Sequence, residues 1–201
     1  MQMILASTNR GKYREMKAQL EPLNIELLFG GDFERPLEVD ETGESYAENA
    51  LLKARAWAEA IGLPALADDS GLEAEALGGI PGIHSARIIA GSDRDRMYWL
   101  LGEMKDKEDR RGRFACAIAV VFPDKKEPLT VTKYCPGHIT REPAGESGFG
   151  YDPIFVPDGF DRTFAELGDE IKNKISHRAM AVKGIAEKLI PVVQSYAVRG
   201  M

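Results

Sequence analysis

Three stretches of this chain combine the side chains needed to hold an anion, a divalent cation and a flat ring. The first is Ser7-Thr8-Asn9-Arg10-Gly11-Lys12, a polar loop between a short apolar run and a helical period. A helix N-terminus carries unsatisfied N–H groups, and hydroxyl, amide and ammonium groups beside them present many donors to one phosphate. The loop is not of the GxxxxGK[ST] type, because the first glycine is absent and Tyr13 follows Lys12. An ordinary helix cap uses the same short polar residues, so both readings stand on this loop alone.

The second stretch is acidic: Asp40-Glu41 before Thr42-Gly43, Glu48 with Asn49 and Lys53, and Asp68-Asp69 at a strand end. Oxygen ligands suit Mg²⁺, which takes one or two carboxylates together with substrate phosphate oxygens and water. A further carboxylate beside the ion can serve as a base. Each acid taken singly reads equally as a solvated surface charge. Adjacent Asp68 and Asp69 repel one another unless a cation or donors offset them. Asn49 and Lys53 stand at i and i+4, on one helix face opposite the alanine-rich one.

The third is Ser147-Gly148-Phe149-Gly150-Tyr151-Asp152-Pro153, followed later by Lys172 and Ser176-His177-Arg178. Aromatic rings can stack on a base, and histidine and arginine can donate to a carbonyl oxygen. The competing reading makes the aromatics core and the His-Arg pair structural.

Positioning such groups takes a scaffold, and the periodicity supplies one. Met3 to Ala6 reads as a strand, after which Tyr13, Met16 and Leu20 recur at helical spacing until Pro22. Ser45 and Glu48 form a capping box for a second helix, with Ala47, Ala50, Leu51, Ala54, Ala58 and Ile61 on one face and Gly62 and Pro64 ending it. Ala65-Leu66-Ala67 is a brief strand, and Ser70 with Glu73 predicts a capped short helix to Leu77. Residues 78–82 are a turn, and Arg94 to Met104 is helical. Phe114 to Phe122 and Leu129 to Tyr134 make a hairpin of the central sheet. Ala179, Val182, Ala186 and Leu189 mark a last helix, and Val192 to Met201 is expected to be a frayed end or a packing strand. An α/β fold with some antiparallel pairing follows.

Composition narrows the function classes. The 201 residues carry 26 Lys+Arg against 32 Asp+Glu, a net charge of −6, which opposes non-specific binding of nucleic acid. The apolar run from Phe114 to Phe122 is about half the roughly 18 residues of a spanning helix, so no membrane partner is expected. The N-terminus has no basic start or long apolar core, which places the protein in the cytoplasm. Cys116 and Cys135 lack zinc-ligand spacing and read as buried thiols. With no repeat or linker, residues 1–201 read as one cooperative domain.

Six segments occur together in one order: Ala6 to Lys12; Glu41-Thr42-Gly43 with Glu48-Asn49-Ala50 and Lys53-Ala54-Arg55; Ala67 to Leu72; Pro81-Gly82 with Ser85-Ala86-Arg87; Gly148 to Pro153; and Ser176-His177-Arg178. In that combination the chain resembles the non-canonical purine nucleoside triphosphate pyrophosphatases, also called inosine triphosphate or dITP/XTP pyrophosphatases. One departure is that Ile88-Ile89 precede Ala90-Gly91, where the family commonly has an aromatic.

The resemblance implies hydrolysis of ITP, dITP and XTP to the monophosphate and pyrophosphate with Mg²⁺, which clears them from the nucleotide pool. It also implies an elongated mixed β-sheet flanked by helices, two lobes around a deep nucleotide-binding cleft, and a homodimer. By the same resemblance Ser7, Thr8, Asn9, Arg10, Gly11 and Lys12 hold the triphosphate, and Lys12 and Lys53 neutralise it. Glu41 and Asp69 coordinate magnesium, Asp69 is the proton acceptor, and Ser70 touches substrate. Phe149, Gly150, Tyr151, Asp152, Lys172, His177 and Arg178 surround the nucleoside. Hypoxanthine and xanthine present a C6 acceptor where adenine has a donor, so His177 and Arg178 are expected to reject ATP. A pyrophosphatase of modified pyrimidines and a catalytically silent nucleotide sensor are the rival readings.

Overall fold

The computed structural model describes residues 1–124 and 127–199, residues 196–199 by their backbone. A six-stranded sheet runs in the order β2-β1-β3-β4-β5-β6, formed by Gln2–Leu5 (β1), Glu26–Phe29 (β2), Ala65–Ala74 (β3), Arg111–Val121 (β4), Leu129–Ile139 (β5) and Phe155–Pro157 (β6). β1 pairs in parallel with β2 and β3, whereas β5 and β6 are antiparallel, so the sheet is mixed. Helices Arg10–Leu20 (α1), Tyr46–Ile61 (α2), Asp93–Glu103 (α3), Phe164–Ile175 (α4) and His177–Arg199 (α5) complete an α/β fold.

The chain divides into two compact units. Met1–Asp69, Ala117–Thr132 and Arg178–Met201 form one; Ser70–Cys116 and Lys133–His177 form the other. Met3, Ile4 and Leu5 of β1, Met16 and Leu20 of α1, and Leu66 of β3 are fully buried in the first unit. In the second, Phe114 meets Phe155 edge-on with centroids 4.7 Å apart, and Phe155 stacks on Phe164 at 5.7 Å.

Local signals explain the helix ends. Asn9 caps α1 by accepting the Lys12 N–H, and Ser45 caps α2 by accepting that of Glu48. The expected reciprocal bond is displaced by one residue, for the Glu48 carboxylate accepts the Glu44 N–H at 2.7 Å. Gly62 ends α2 at φ 72°, a left-handed conformation that costs glycine little.

Three expectations are corrected. Ser70 to Leu77 is not a capped helix: β3 continues to Ala74, with Leu72 and Ala74 fully buried at alternate positions. Sheet burial with a period of two overrides the capping signal, and Glu75–Leu77 forms one 3₁₀ turn. The segment from Val192 is neither frayed nor a strand, since α5 runs through Pro191 to Arg199. Asn49 does not lie on a polar face opposite the core, because it is wholly buried beside Ala50.

Candidate active site

The first unit gathers charge around the end of β3. Successive strand residues point to opposite faces, and Asp68 and Asp69 have different partners accordingly. Asp68 Oδ2 accepts from Arg178 Nε at 3.0 Å, and its other oxygen pairs with the Lys12 ammonium. Arg178 also donates through a terminal nitrogen to Glu15 Oε2 at 2.6 Å. Glu15, Arg178 and Asp68 are all buried, and this arrangement compensates two carboxylates with two cations.

Asp69 faces α2. Its Oδ2 accepts from Asn49 Nδ2 at 3.2 Å, and its Oδ1 lies 3.3 Å from Lys53 Nζ. The same ammonium stands 2.5 Å from Glu41 Oε1, so Lys53 bridges two carboxylates. Burial raises the Asp69 pKa above the ordinary carboxylate value; Lys53 opposes that rise and Glu41 adds to it. For Lys53, burial lowers the pKa, but Asp69 and Glu41 together carry it above its ordinary value. An elevated carboxyl pKa beside two cations is an arrangement typical of reactive centres.

Loop residues 7–12 precede this cluster and extend into α1. Ser7 Oγ accepts the Asn9 N–H at 3.1 Å, and Asn9 Oδ1 accepts the Lys12 N–H at 3.0 Å. Thr8 is exposed and Gly11 partly so. Arg10 turns elsewhere: it pairs with Asp32 at 3.0 Å and lies over the Phe29 ring. Lys12, and not Arg10, therefore reaches the acidic centre.

The second unit holds the aromatic loop. Asp152 is its clamp, accepting the Phe149 N–H at 2.8 Å and the Lys172 ammonium at 2.6 Å through the same oxygen. A Cβ on Gly148, at φ 81°, would stand 2.1 Å from that carboxylate, so only glycine fits there. The Lys172 ammonium also lies 4.4 Å from the Phe149 ring centroid. The Gly150 N–H donates to Asp93, and the Tyr151 hydroxyl donates to the Ser85 carbonyl at 3.0 Å. Ser85 in turn receives the Leu72 N–H on its Oγ, which ties the Ser85-Ala86-Arg87 turn to β3. A recess of 660 Å³ opens beside this loop, lined in part by Asp93, Arg94, Tyr98, Phe149 and Pro153. His177 stacks on Phe114 at 4.5 Å with rings nearly parallel, which fixes its plane.

The structure thus groups Lys12, Glu41, Lys53, Asp69 and Arg178 in one unit, and Phe149 to Asp152, Lys172 and His177 in the other. Ser70, on β3 after Asp69, falls in the second. Sequence reasoning missed Glu15 and Phe114. Glu15 carried one signal, a carboxylate one residue before core Met16 and three after Lys12 on the same helix.

The chain matches the model of the Ham1 family over residues 3–188. It is 43% identical over 192 residues to the dITP/XTP pyrophosphatase of Bacillus licheniformis, spanning 94% of this chain and 97% of that one. Identity to the dITP/XTP pyrophosphatase of Symbiobacterium thermophilum is 47% over 190 residues, spanning 93% and 94%. Among solved structures, a HAM1 protein from Coxiella burnetii superposes with a TM-score of 0.84 at 40% identity, covering 94% of this chain and 98% of that one. The Staphylococcus aureus Ham1 protein gives 0.83 at 37% identity, with the same coverage. With matches of this length and identity joined to the same fold, this chain belongs to the Ham1 family.

Proposed function

We propose that the protein hydrolyses non-canonical purine nucleoside triphosphates, ITP, dITP and XTP, to the monophosphate and pyrophosphate. The observation that carries the reading is the cluster of Lys12 and Lys53 with Glu41, Asp68 and Asp69, which joins cations for a polyphosphate to carboxylates for a metal and a proton. The names of its relatives point to the same substrates.

In this reading Ser7, Thr8, Asn9, Arg10 and Gly11 receive the phosphates, and Lys12 and Lys53 neutralise them. Glu41 and Asp69 fit Mg²⁺: both are oxygen donors, and the pair already holds one positive charge, the Lys53 ammonium. Among the described residues no group of three or more His, Cys, Asp or Glu suits a metal, so the remaining ligands must be water and substrate oxygens. When bound, the ion supplies charge neutralisation and an acidified water. Asp69, its carboxyl raised by burial, accepts the proton of the attacking water, and Asn49 holds its other oxygen. Lys12 offsets the charge that develops on departing pyrophosphate. Ser70 touches the substrate beside them.

The nucleoside falls to Phe149, Gly150, Tyr151, Asp152, Lys172 and His177, with Arg178. The Phe149 ring stacks on the base, and His177 donates to the C6 oxygen. A homodimer acting in the cytoplasm completes the proposal. It is supported by the family resemblance and by the lack, among the described residues, of any helix long and apolar enough to cross a membrane.

The test is incubation with Mg²⁺ and, separately, ITP, XTP, dITP, GTP and ATP, with pyrophosphate and orthophosphate both measured. Pyrophosphate from the 6-oxo non-canonical purines, absent in Asp69→Asn, is the expected result. Orthophosphate release, or binding without turnover, would overturn it.

A further inference from the structure

Asn49 is wholly buried on α2, one turn before Lys53. Its amide works in both directions: Nδ2 donates to Asp69 Oδ2 at 3.2 Å, and Oδ1 accepts the Gly43 N–H at 2.8 Å. These neighbours fix its orientation, since an ionised carboxylate only accepts and a backbone N–H only donates. The contacts close a ring. Asp69 meets the Lys53 ammonium at 3.3 Å, Lys53 meets Glu41 at 2.5 Å, and Glu41 leads through Thr42 back to Gly43. The turn is pressed onto the amide, for a Cβ on Gly43 would stand 2.8 Å from Asn49 Oδ1 and 2.7 Å from Glu48 Cβ.

We propose that Asn49 is a positioning residue, whose two-way amide holds the Asp69 carboxylate and the Glu41-Thr42-Gly43 turn in fixed register. The inference rests on the pyrophosphatase reading above. Hydrogen-bonded carboxylates cannot rotate freely, and groups that orient ligating carboxylates matter nearly as much as the carboxylates themselves. An aspartate at position 49 keeps the shape and the Gly43 bond but sets an anion against Asp69. A leucine keeps the approximate volume and removes both bonds.

The test compares wild type with Asn49→Asp and Asn49→Leu in pyrophosphate release from ITP across a Mg²⁺ titration. A separate measurement, independent of turnover, is the rise in Tm that Mg²⁺ with imidodiphosphate confers. The expected result is a fall in kcat and a rise in half-saturating Mg²⁺, each about 10- to 100-fold. KM for ITP at saturating Mg²⁺ stays within about threefold, because uniform substrate binding is untouched. The ligand-induced rise in Tm shrinks in both variants. A merely structural role lowers Tm without moving the Mg²⁺ requirement.

An Asn49→Leu protein that folds with wild-type kcat and Mg²⁺ requirement overturns the positioning role. Where that variant fails to fold, Gly43→Ala carries the test, since its methyl group displaces the turn from the same amide. Wild-type Mg²⁺ requirement in folded Gly43→Ala then overturns the role. Wild-type protein that releases no pyrophosphate from ITP overturns the pyrophosphatase reading, and this inference with it; active wild type with insensitive variants overturns the inference alone.

Discussion

Lys172 Nζ lies 2.6 Å from Asp152 Oδ2, with both side chains almost entirely buried. Removing one partner strands the other charge without solvent. Lys172→Met is therefore expected to lower unfolding free energy by about 3–5 kcal/mol, whereas Lys172→Met with Asp152→Asn loses clearly less. Urea unfolding of the two proteins decides it, and equal losses would show that the ion pair is not the source.

Asp68 and Asp69 are adjacent in sequence but are expected to fail differently. Asp69→Asn should fold and lose at least about 10²-fold in kcat, the lower end of general-base effects. Asp68→Asn removes the charge that balances Arg178, so its main effect is expected in stability. Parallel kinetics and thermal melts separate the two, and near-normal turnover in folded Asp69→Asn would defeat its role.

Arg178 and His177 should also separate. Arg178→Ala leaves Glu15 and Asp68 without their shared guanidinium and is expected to cost about 3–5 kcal/mol. His177→Ala, away from those carboxylates, is expected to narrow the ITP-over-ATP preference by at least about tenfold, out of the roughly 10⁴-fold that hydrogen-bond matching can supply. Ratios of kcat/KM for the two nucleotides test this, and an unchanged ratio in both variants would remove the base-reading role.

The thiols give a prediction in alkali. Burial pushes Cys135 from its ordinary 9.0 up to about 11, Asp158 adds to the rise, and the His177 N–H opposes it. Between those values the unfolded thiol ionises while the native one keeps its proton. The unfolded chain then binds fewer protons, so stability falls as pH rises from 9 to 11, by about 1.4 kcal/mol per unit for this group. Tyr151, pushed up to about 12 by burial, extends the loss upward. Melts from pH 8 to 11 should show the decline, and Cys135 should resist alkylation at pH 8 until the protein unfolds.

Much of this was legible in the residues. The helix starts at Asn9 and Ser45 were readable because capping is local, and the phosphate loop, the acids and the aromatic loop were readable as residue types at fixed spacings. Partners set by long-range packing were not. Nothing near Arg178 in sequence announces Glu15, 163 residues away. Asn49 was misplaced on a polar face because helical periodicity assigns amides to solvent, whereas this amide is buried by the two hydrogen bonds it makes. Ser70 and Glu73 matched a capping pattern, yet strand pairing decided their conformation.

The units interleave in sequence, and this bears on how the protein is made. Asp68 precedes its partner Arg178 by 110 residues. At about 5–20 residues per second, the growing chain carries Asp68 for roughly 5–20 s before that guanidinium exists. Neither compact unit is an uninterrupted stretch, so neither can be finished while the other waits. Synthesis from one end cannot complete them in turn: the acidic centre closes only when α5 arrives, after both units have been largely translated.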